Sequence, residues 1–153
     1  MNYLSKKSKS NDEISKFLEN IKSLIKEGNV DFNIRPWKLK ANKTLKYMTE
    51  KNISTKDISE ALLELEVGDF CYVEDDRNSF FGGEFWFFTR DYCLVDKVES
   101  MYIKLKLFDY EDKKLLVMFF HPQQPANGLP HTRHPKTDGR SMDCFGSGKN
   151  RIQ

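Results

Sequence analysis

Residues 101–108 alternate apolar and polar side chains, and this pattern could present reactive groups on one face of a β-strand. Side chains along a strand point to opposite faces in turn. One set is apolar and is expected in the core: Met101, Ile103, Leu105 and Leu107. The other set, Tyr102, Lys104 and Lys106, combines a phenol with two ammonium groups, which can grip a phosphodiester and stack a base. An ordinary amphipathic strand with its polar face in water would show the same pattern.

A histidine at the end of the next apolar run could add acid–base chemistry to that face. His121 follows Leu115–Phe120, and a turn over Asp109–Lys114 folds the two strands into a hairpin. If Tyr102 pairs with His121, the two side chains share a face, whereas a slip of one residue pairs Tyr102 with Phe120 and turns the histidine away. A histidine with an unperturbed pKa of about 6.5 exchanges protons near neutral pH. One at a strand end can also simply bond the backbone.

Two further segments carry aromatic or basic side chains that could contact RNA. The segment Glu84–Thr89 contains Trp86, which fits the core and would stack a base only if its face is open. Arg35 and Lys38 flank Trp37. Basic residues beside an aromatic ring fit single-stranded RNA, and they fit a surface loop with snorkelling side chains equally well.

The spacing of the residues gives little support to a metal site or to a phosphate-binding loop. His121, His131, His134 and Cys144 lack the close pairs that structural zinc sites show. The stretch 146–149 reads Gly-Ser-Gly-Lys, but it follows no strand and opens no helix, as a phosphate loop would. We therefore predict no metal and no cofactor.

The elements that must position these groups begin with an amphipathic helix. Its apolar stripe has helical spacing: Ile14, Phe17, Leu18, Ile21, Leu24 and Ile25. Ser10 and Glu13 fit a capping box at its start, and Gly28 fits its end. The segment Thr44–Lys51 is also predicted to be helical.

A further helix is expected after Ser54 or Thr55, with Gly68 as its end. Its apolar stripe is Ile58, Ala61, Leu62 and Leu65. The strands predicted around it are Asn29–Ile34 at an edge, Asp69–Val73, Glu84–Thr89, Tyr92–Lys97 as a strand or a loop, Met101–Phe108, and Leu115–Phe120 buried on both faces. Helices followed by successive strands predict an α+β fold, with the N-terminal helices packed on one face of a small antiparallel sheet.

The chain divides into a flexible basic N-terminus at 1–10, a single α+β domain at 11–122, and a Pro/Gly-rich C-terminal extension at 123–153. Its three cysteines, Cys71, Cys93 and Cys144, are widely spaced. This argues against a disulfide framework and for a reducing compartment, so we expect a cytoplasmic protein. No apolar run approaches the ~18 residues of a membrane span, and the N-terminus shows no secretory signal.

Several segments keep an order and spacing that a known family shares. They are Leu65–Phe70, the pair Asp75 and Asp76, the aromatic Glu84–Phe88, the strand Met101–Lys106, and Met118–Pro122. Together they resemble the MqsR-like toxins of bacterial type II toxin–antitoxin systems. The resemblance covers residues 11–130, and its most specific feature is Tyr-Ile-Lys followed by a strand that ends in Phe-His-Pro.

The resemblance implies a RelE-like fold and an endoribonuclease that cuts messenger RNA without a metal. It also implies neutralisation by a cognate antitoxin, of helix-turn-helix or zinc-binding type. Because no apolar run is long enough to span a membrane, we expect no contact with a membrane. Tyr102 lies in the strand motif to which the resemblance gives an active-site role. His121, Tyr72 and Phe87 depart from the best-known member, which has a lysine, another basic residue and a glutamine at these positions.

On this basis we expect His121 to act as general acid or base, with Tyr102 as its partner or as a positioning group. Lys104 and Lys106 are expected to stabilise the phosphate. The remaining candidate RNA contacts are Tyr72, Trp86, Arg35 and Lys38. The alternative is a non-catalytic RNA- or protein-binding module on the same fold, either a degenerate toxin or a phage-borne interaction protein.

Overall fold

The computed structural model describes residues 6–32, 43–77, 82–94, 97–110, 112–123 and 144–145. The helices in these ranges are α1 (Asn11–Glu27), α2 (Lys43–Lys51), α3 (Thr55–Leu62) and a 3-10 turn (Val67–Asp69). The strands are β1 (Val30–Phe32), β2 (Phe70–Asp75), β3 (Glu84–Leu94), β4 (Lys97–Tyr110), β5 (Asp112–Pro122) and β6 (Cys144–Phe145). The predicted α+β class is confirmed. Within these ranges no helix is long and apolar enough to span a bilayer.

The strands form one sheet in the order β1-β5-β4-β3-β2, and β6 pairs with the far end of β3. Neighbours among β2, β3, β4 and β5 are antiparallel. The short strands β1 and β6 run parallel to β5 and β3, respectively. The sheet is therefore mixed, and the prediction of a purely antiparallel sheet is wrong at these two strands.

The helices begin where the capping residues predict and cover one face of the sheet. Ser10 and Glu13 form a capping box on α1, and Gly28 ends that helix with φ 82°. A second capping box starts α3 at Ser54. This helix ends at Leu62 and not at the predicted Gly68, which lies in the 3-10 turn. The apolar stripes of the helices join the sheet residues in one buried cluster.

The strands β3, β4 and β5 are longer than the apolar patterns predict. The strand β3 continues through Leu94 and β4 begins at Lys97, so the segment predicted over 92–97 is no separate element. At the other end Tyr110 pairs with Asp112, so most of the predicted turn belongs to the hairpin. Cross-strand pairing of polar residues at the hairpin end extends the ladder beyond the apolar run.

A β-bulge in β5 decides which side chains share a face with β4. Leu105 pairs with Val117, but Lys104 pairs with Phe119, so β5 carries one extra residue between the two pairs. As a result both Val117 and Phe120 face the core, although they are three residues apart. The Phe120 amide also donates a hydrogen bond to the Thr44 hydroxyl of α2 at 2.8 Å.

The predicted burial of Leu115–Phe120 on both faces is wrong. Leu115, Val117 and Phe120 are buried, whereas the side chains between them are only half-buried: Leu116, Met118 and Phe119. The described helices pack on only one side of the sheet, so the opposite side of this strand keeps part of its apolar surface accessible. We call that opposite side of the sheet the outer face.

The cysteines also depart from the prediction. Cys93 in β3 is disulfide-bonded, and Cys144 in β6 lies directly opposite it in the register. Among the described residues Cys71 has a free thiol. The spacing of cysteines along a chain cannot show that two distant ones pair, and disulfides are rare in reducing compartments. The finding counts against the compartment that the cysteine pattern predicts.

Candidate functional site on the outer face

The outer face brings together residues from three adjacent strands, β3, β4 and β5. Tyr102 of β4 pairs with His121 of β5, which is the register that the sequence left open. Lys104 lies between Phe87 of β3 and Phe119 of β5. These five side chains share one face because cross-strand partners point to the same side of a sheet. The structure therefore places the three predicted catalytic side chains next to one another.

The rings of Tyr102 and His121 are parallel, with an interplanar angle of 6° and centroids 5.3 Å apart. Two rings at this separation cannot lie side by side in one plane, so they overlap face to face with an offset. Their faces are therefore turned toward each other.

The position of His121 determines which of its nitrogens can act as a base. Its side chain is 7% exposed, and Nδ1 lies 3.0 Å from the carbonyl oxygen of Pro122. A carbonyl oxygen only accepts hydrogen bonds, so Nδ1 carries the proton in the neutral ring. Nε2 then holds the lone pair and is the nitrogen that can remove a proton from a substrate.

Tyr102 is held as a neutral phenol. Burial raises its pKa above the ordinary value of 10.0, and the nearby Glu74 carboxylate and Cys71 thiol raise it further. The rings of Phe87 and Phe119 meet it edge to face, with centroids 6.1 Å and 5.8 Å away. At neutral pH the hydroxyl is therefore a hydrogen-bond donor rather than an anion.

The ammonium group of Lys104 lies among three phenylalanine rings. Nζ is 4.1 Å from the ring centroid of Phe85, 5.2 Å from that of Phe119 and 5.5 Å from that of Phe87. Among the described residues it forms no salt bridge. Burial lowers the pKa of Lys104, and the more distant Glu74 and Asp76 only partly oppose this. An anion placed here would meet a cation that is incompletely compensated.

We expect the substitution Lys104→Met to leave the free energy of unfolding at pH 7 within about 1 kcal/mol of wild type, because the lost cation–π contacts are offset by relief of a desolvated charge. The folded-state pKa of Lys104 is lowered from 10.5. Between this lowered folded-state pKa and the unfolded-state pKa of about 10.5, the unfolded chain binds more protons than the folded chain. The free energy of unfolding of the wild type should therefore rise with pH relative to that of Lys104→Met. Urea unfolding at pH 7 and in the alkaline range measures the trend. A wild-type advantage that shrinks with pH would contradict it.

Lys106 also points to the outer face, but it is not available for a phosphate. The residue is 4% exposed, and its Nζ forms a salt bridge of 2.6 Å with Asp76. The loop before β3 covers it closely, since a Cβ added to Gly83 would lie 2.9 Å from Lys106 Cε. The predicted phosphate contact is corrected accordingly, because a carboxylate already occupies that position.

Trp86 is removed from the predicted RNA contacts. It is 8% exposed and stacks on Phe17 of α1, with ring centroids 3.9 Å apart and an interplanar angle of 6°. Its cross-strand partner is the core residue Leu105, so it lies on the helix-covered face. The predicted contacts Arg35 and Lys38 lie outside the described residues.

Tyr72 of β2, one of the predicted RNA contacts, lies on the same face as these residues because it pairs with Phe87, a residue that is not among the predicted contacts. It stacks on Phe87 with ring centroids 4.6 Å apart, and burial raises its pKa above 10.0. Period-two alternation within Glu84–Thr89 would have placed Phe85 and Phe87 opposite Trp86. No sequence pattern could have placed Phe119 on this face, because the face to which it points depends on the bulge in β5.

The described residues contain no group of three or more His, Cys, Asp or Glu side chains that could hold a metal ion. His131 and His134, two of the residues considered for zinc, lie outside the described residues. Comparison of the chain with protein-family models, with curated proteins and with solved structures gave no match in any of the three. The resemblance to MqsR-like toxins and the RelE-like fold therefore remain predictions from the sequence pattern.

Proposed function

We propose that this chain is a metal-independent endoribonuclease that cuts messenger RNA at the outer face. The supporting observation is the pairing of Tyr102 with His121 across β4 and β5, with Lys104 two residues further along β4 on the same face. A base, a neutral hydroxyl donor and a cation are the groups that cleavage by the neighbouring 2′-hydroxyl requires.

In the proposed reaction, Nε2 of His121 removes the proton from the 2′-hydroxyl of the nucleotide before the cut. The 2′-oxygen attacks the adjacent phosphorus, and the bond from phosphorus to the 5′-oxygen breaks. The leaving 5′-oxygen takes the Tyr102 proton, and the imidazolium of His121 returns a proton to the phenolate. The products are a 2′,3′-cyclic phosphate and a 5′-hydroxyl. Lys104 stabilises the extra negative charge on the phosphate oxygens during the attack.

The experiment is incubation of the purified full chain with a messenger RNA transcript in excess EDTA. We expect cleavage that EDTA does not inhibit, with 2′,3′-cyclic phosphate and 5′-hydroxyl ends identified by end-labelling. Cleavage that stops on chelation, or products with 3′-hydroxyl and 5′-phosphate ends, would rule out this mechanism. The proposed substrate and a cognate antitoxin are both cytoplasmic molecules, so the proposal places the activity in the cytoplasm, and the Cys93 disulfide would then have to persist in a reducing compartment.

The second candidate is a non-catalytic RNA-binding module on the same face. The observation in its favour is the burial of His121, of which only 7% is exposed, because a general base has to reach its substrate. The overlap of the Tyr102 and His121 rings counts against base stacking as the mode of binding, since their faces are turned to each other. RNA that binds and stays intact over long incubation would favour this candidate.

A further inference from the structure

The N-terminal segment from Lys6 to Ser10, predicted to be flexible, is attached to the edge of the sheet. The Lys7 amide donates to the Val73 carbonyl at 2.8 Å, and the Val73 amide donates to the Lys7 carbonyl at 2.9 Å. This antiparallel bridge extends the sheet by one position beyond β2. The backbone of the segment is thereby fixed relative to the outer face.

Because of this bridge, the lysines of the segment point to different faces of the sheet, some to the helix-covered face and one to the outer face. Lys7 and Lys9 lie toward the helix side, where Lys7 contacts Asp75 at 2.9 Å and both lysines contact Glu84 at 3.2 Å. Side chains in extended backbone alternate, so Lys6 points to the other side. There its Nζ lies 4.8 Å from the centroid of the Tyr72 ring. Lys6 is exposed, and within the described ranges it forms no salt bridge.

Lys6 stands at one end of a row of rings that crosses the strands. From Tyr72 the row continues through Phe87 and Tyr102 to His121, with centroid separations of 4.6 Å, 6.1 Å and 5.3 Å. The β2 strand lies about two strand spacings, or ~10 Å, from β4. A group bound by Lys6 is therefore separate from the phosphate at Lys104.

We propose that Lys6 binds a second phosphate of the RNA, so that the substrate strand runs across β4, β3 and β2 and not along one of them. This inference rests on the proposed function. The intervening nucleotide would pass over the half-buried ring of Tyr72, which stacks on the buried ring of Phe87 beside Lys104. Lys6 then directs the strand from the cut toward β2. A substrate must therefore carry a second phosphate besides the scissile one to gain this contact, which requires at least a trinucleotide.

The test compares Lys6→Ala with the control Lys16→Ala, which removes an exposed lysine of α1 on the far side of the sheet. We expect the Kd for a single-stranded RNA of about ten nucleotides to rise three- to tenfold at low salt for Lys6→Ala only. The slope of log K against log salt should fall by about 0.7, the value for one phosphate contact on a single strand. Lys6→Arg keeps the charge and should restore both quantities.

Substrate length provides the second measurement. A dinucleotide cannot span the two lysines, so Lys6→Ala and wild type should act on it equally. If wild type binds and cleaves RNA but Lys6→Ala keeps the wild-type affinity and salt slope, this inference is wrong and the proposed function stands. If the wild-type chain neither binds nor cleaves RNA, both are wrong. Urea unfolding should show no difference between the variants, since Lys6 is exposed.

Discussion

His121→Asn is expected to reduce RNA cleavage by at least about 100-fold while the chain still folds and binds RNA. General acid–base catalysis contributes about 10²–10⁴-fold in enzymes, and the proposed base is Nε2. The side-chain amide of asparagine can replace Nδ1 as the donor to the Pro122 carbonyl, now 3.0 Å from the ring. The variant therefore keeps the structural hydrogen bond and loses the lone pair. Single-turnover cleavage rates at saturating enzyme measure the change without interference from affinity.

Two further measurements separate a catalytic histidine from a structural one. Tyr102→Phe keeps the ring that stacks on His121 and removes only the hydroxyl, so it should also lower the cleavage rate with little change in RNA affinity. His121→Gln places its amide nearer to Nε2 and loses the bond to Pro122, so it should unfold at lower urea than His121→Asn. If His121→Asn cleaves RNA at the wild-type rate, the assignment of the general base is wrong.

The parts of the fold that depend on neighbouring residues could be predicted from the sequence. The capping box of Ser10 and Glu13 and the left-handed Gly28 act within one helical turn, and both are confirmed. The strict alternation from Tyr102 to Lys104 likewise placed both side chains on one face, because the pleat alone determines it. These features need no knowledge of what the strand packs against.

The parts that depend on pairing between strands could not be predicted. Whether His121 faces Tyr102 is decided by the extra residue of β5 between Val117 and Phe119, and the apolar run from Leu115 gives no sign of where a bulge falls. Without the bulge, the residues beyond it would be turned to the opposite faces. The disulfide of Cys93 could not be predicted for the same reason, because β6, the strand that lies opposite Cys93, is distant in the sequence.

The different surroundings of Lys104 and Lys106 could not be predicted from the sequence either. Both alternate outward from β4, and both are among the expected phosphate contacts. Asp76, which lies in the chain between β2 and β3, forms a salt bridge with Lys106, whereas Lys104 forms none with any residue that the structure describes. The contact joins residues 30 positions apart, so no local pattern reports it. Lys104 is therefore part of the proposed site, and Lys106 is part of the structure that supports it.

Lys106→Met is expected to destabilise the folded chain by about 3–5 kcal/mol, the usual cost of removing one partner from a buried ion pair. The side chains of Lys106 and Asp76 are 6% and 10% exposed, so the Asp76 carboxylate would lose its ammonium partner in a place that water barely reaches. Methionine retains most of the volume, and the loss therefore reports charge and not packing. Lys104→Met is the matched control on the same strand, with an expected change within about 1 kcal/mol.

The double variant Lys106→Met with Asp76→Leu should recover most of the lost stability, because replacing both members of a buried pair by apolar side chains is often nearly neutral. Urea unfolding of the wild type, both single variants and the double variant gives the coupling energy directly. RNA cleavage is measured on these four chains and on Lys104→Met. The double variant should cut RNA at close to the wild-type rate, since Lys106 has no role in the proposed chemistry, whereas Lys104→Met should not. If Lys106→Met is as stable as Lys104→Met, the pair with Asp76 does not hold the loop, and Lys106 returns to the set of candidate phosphate contacts.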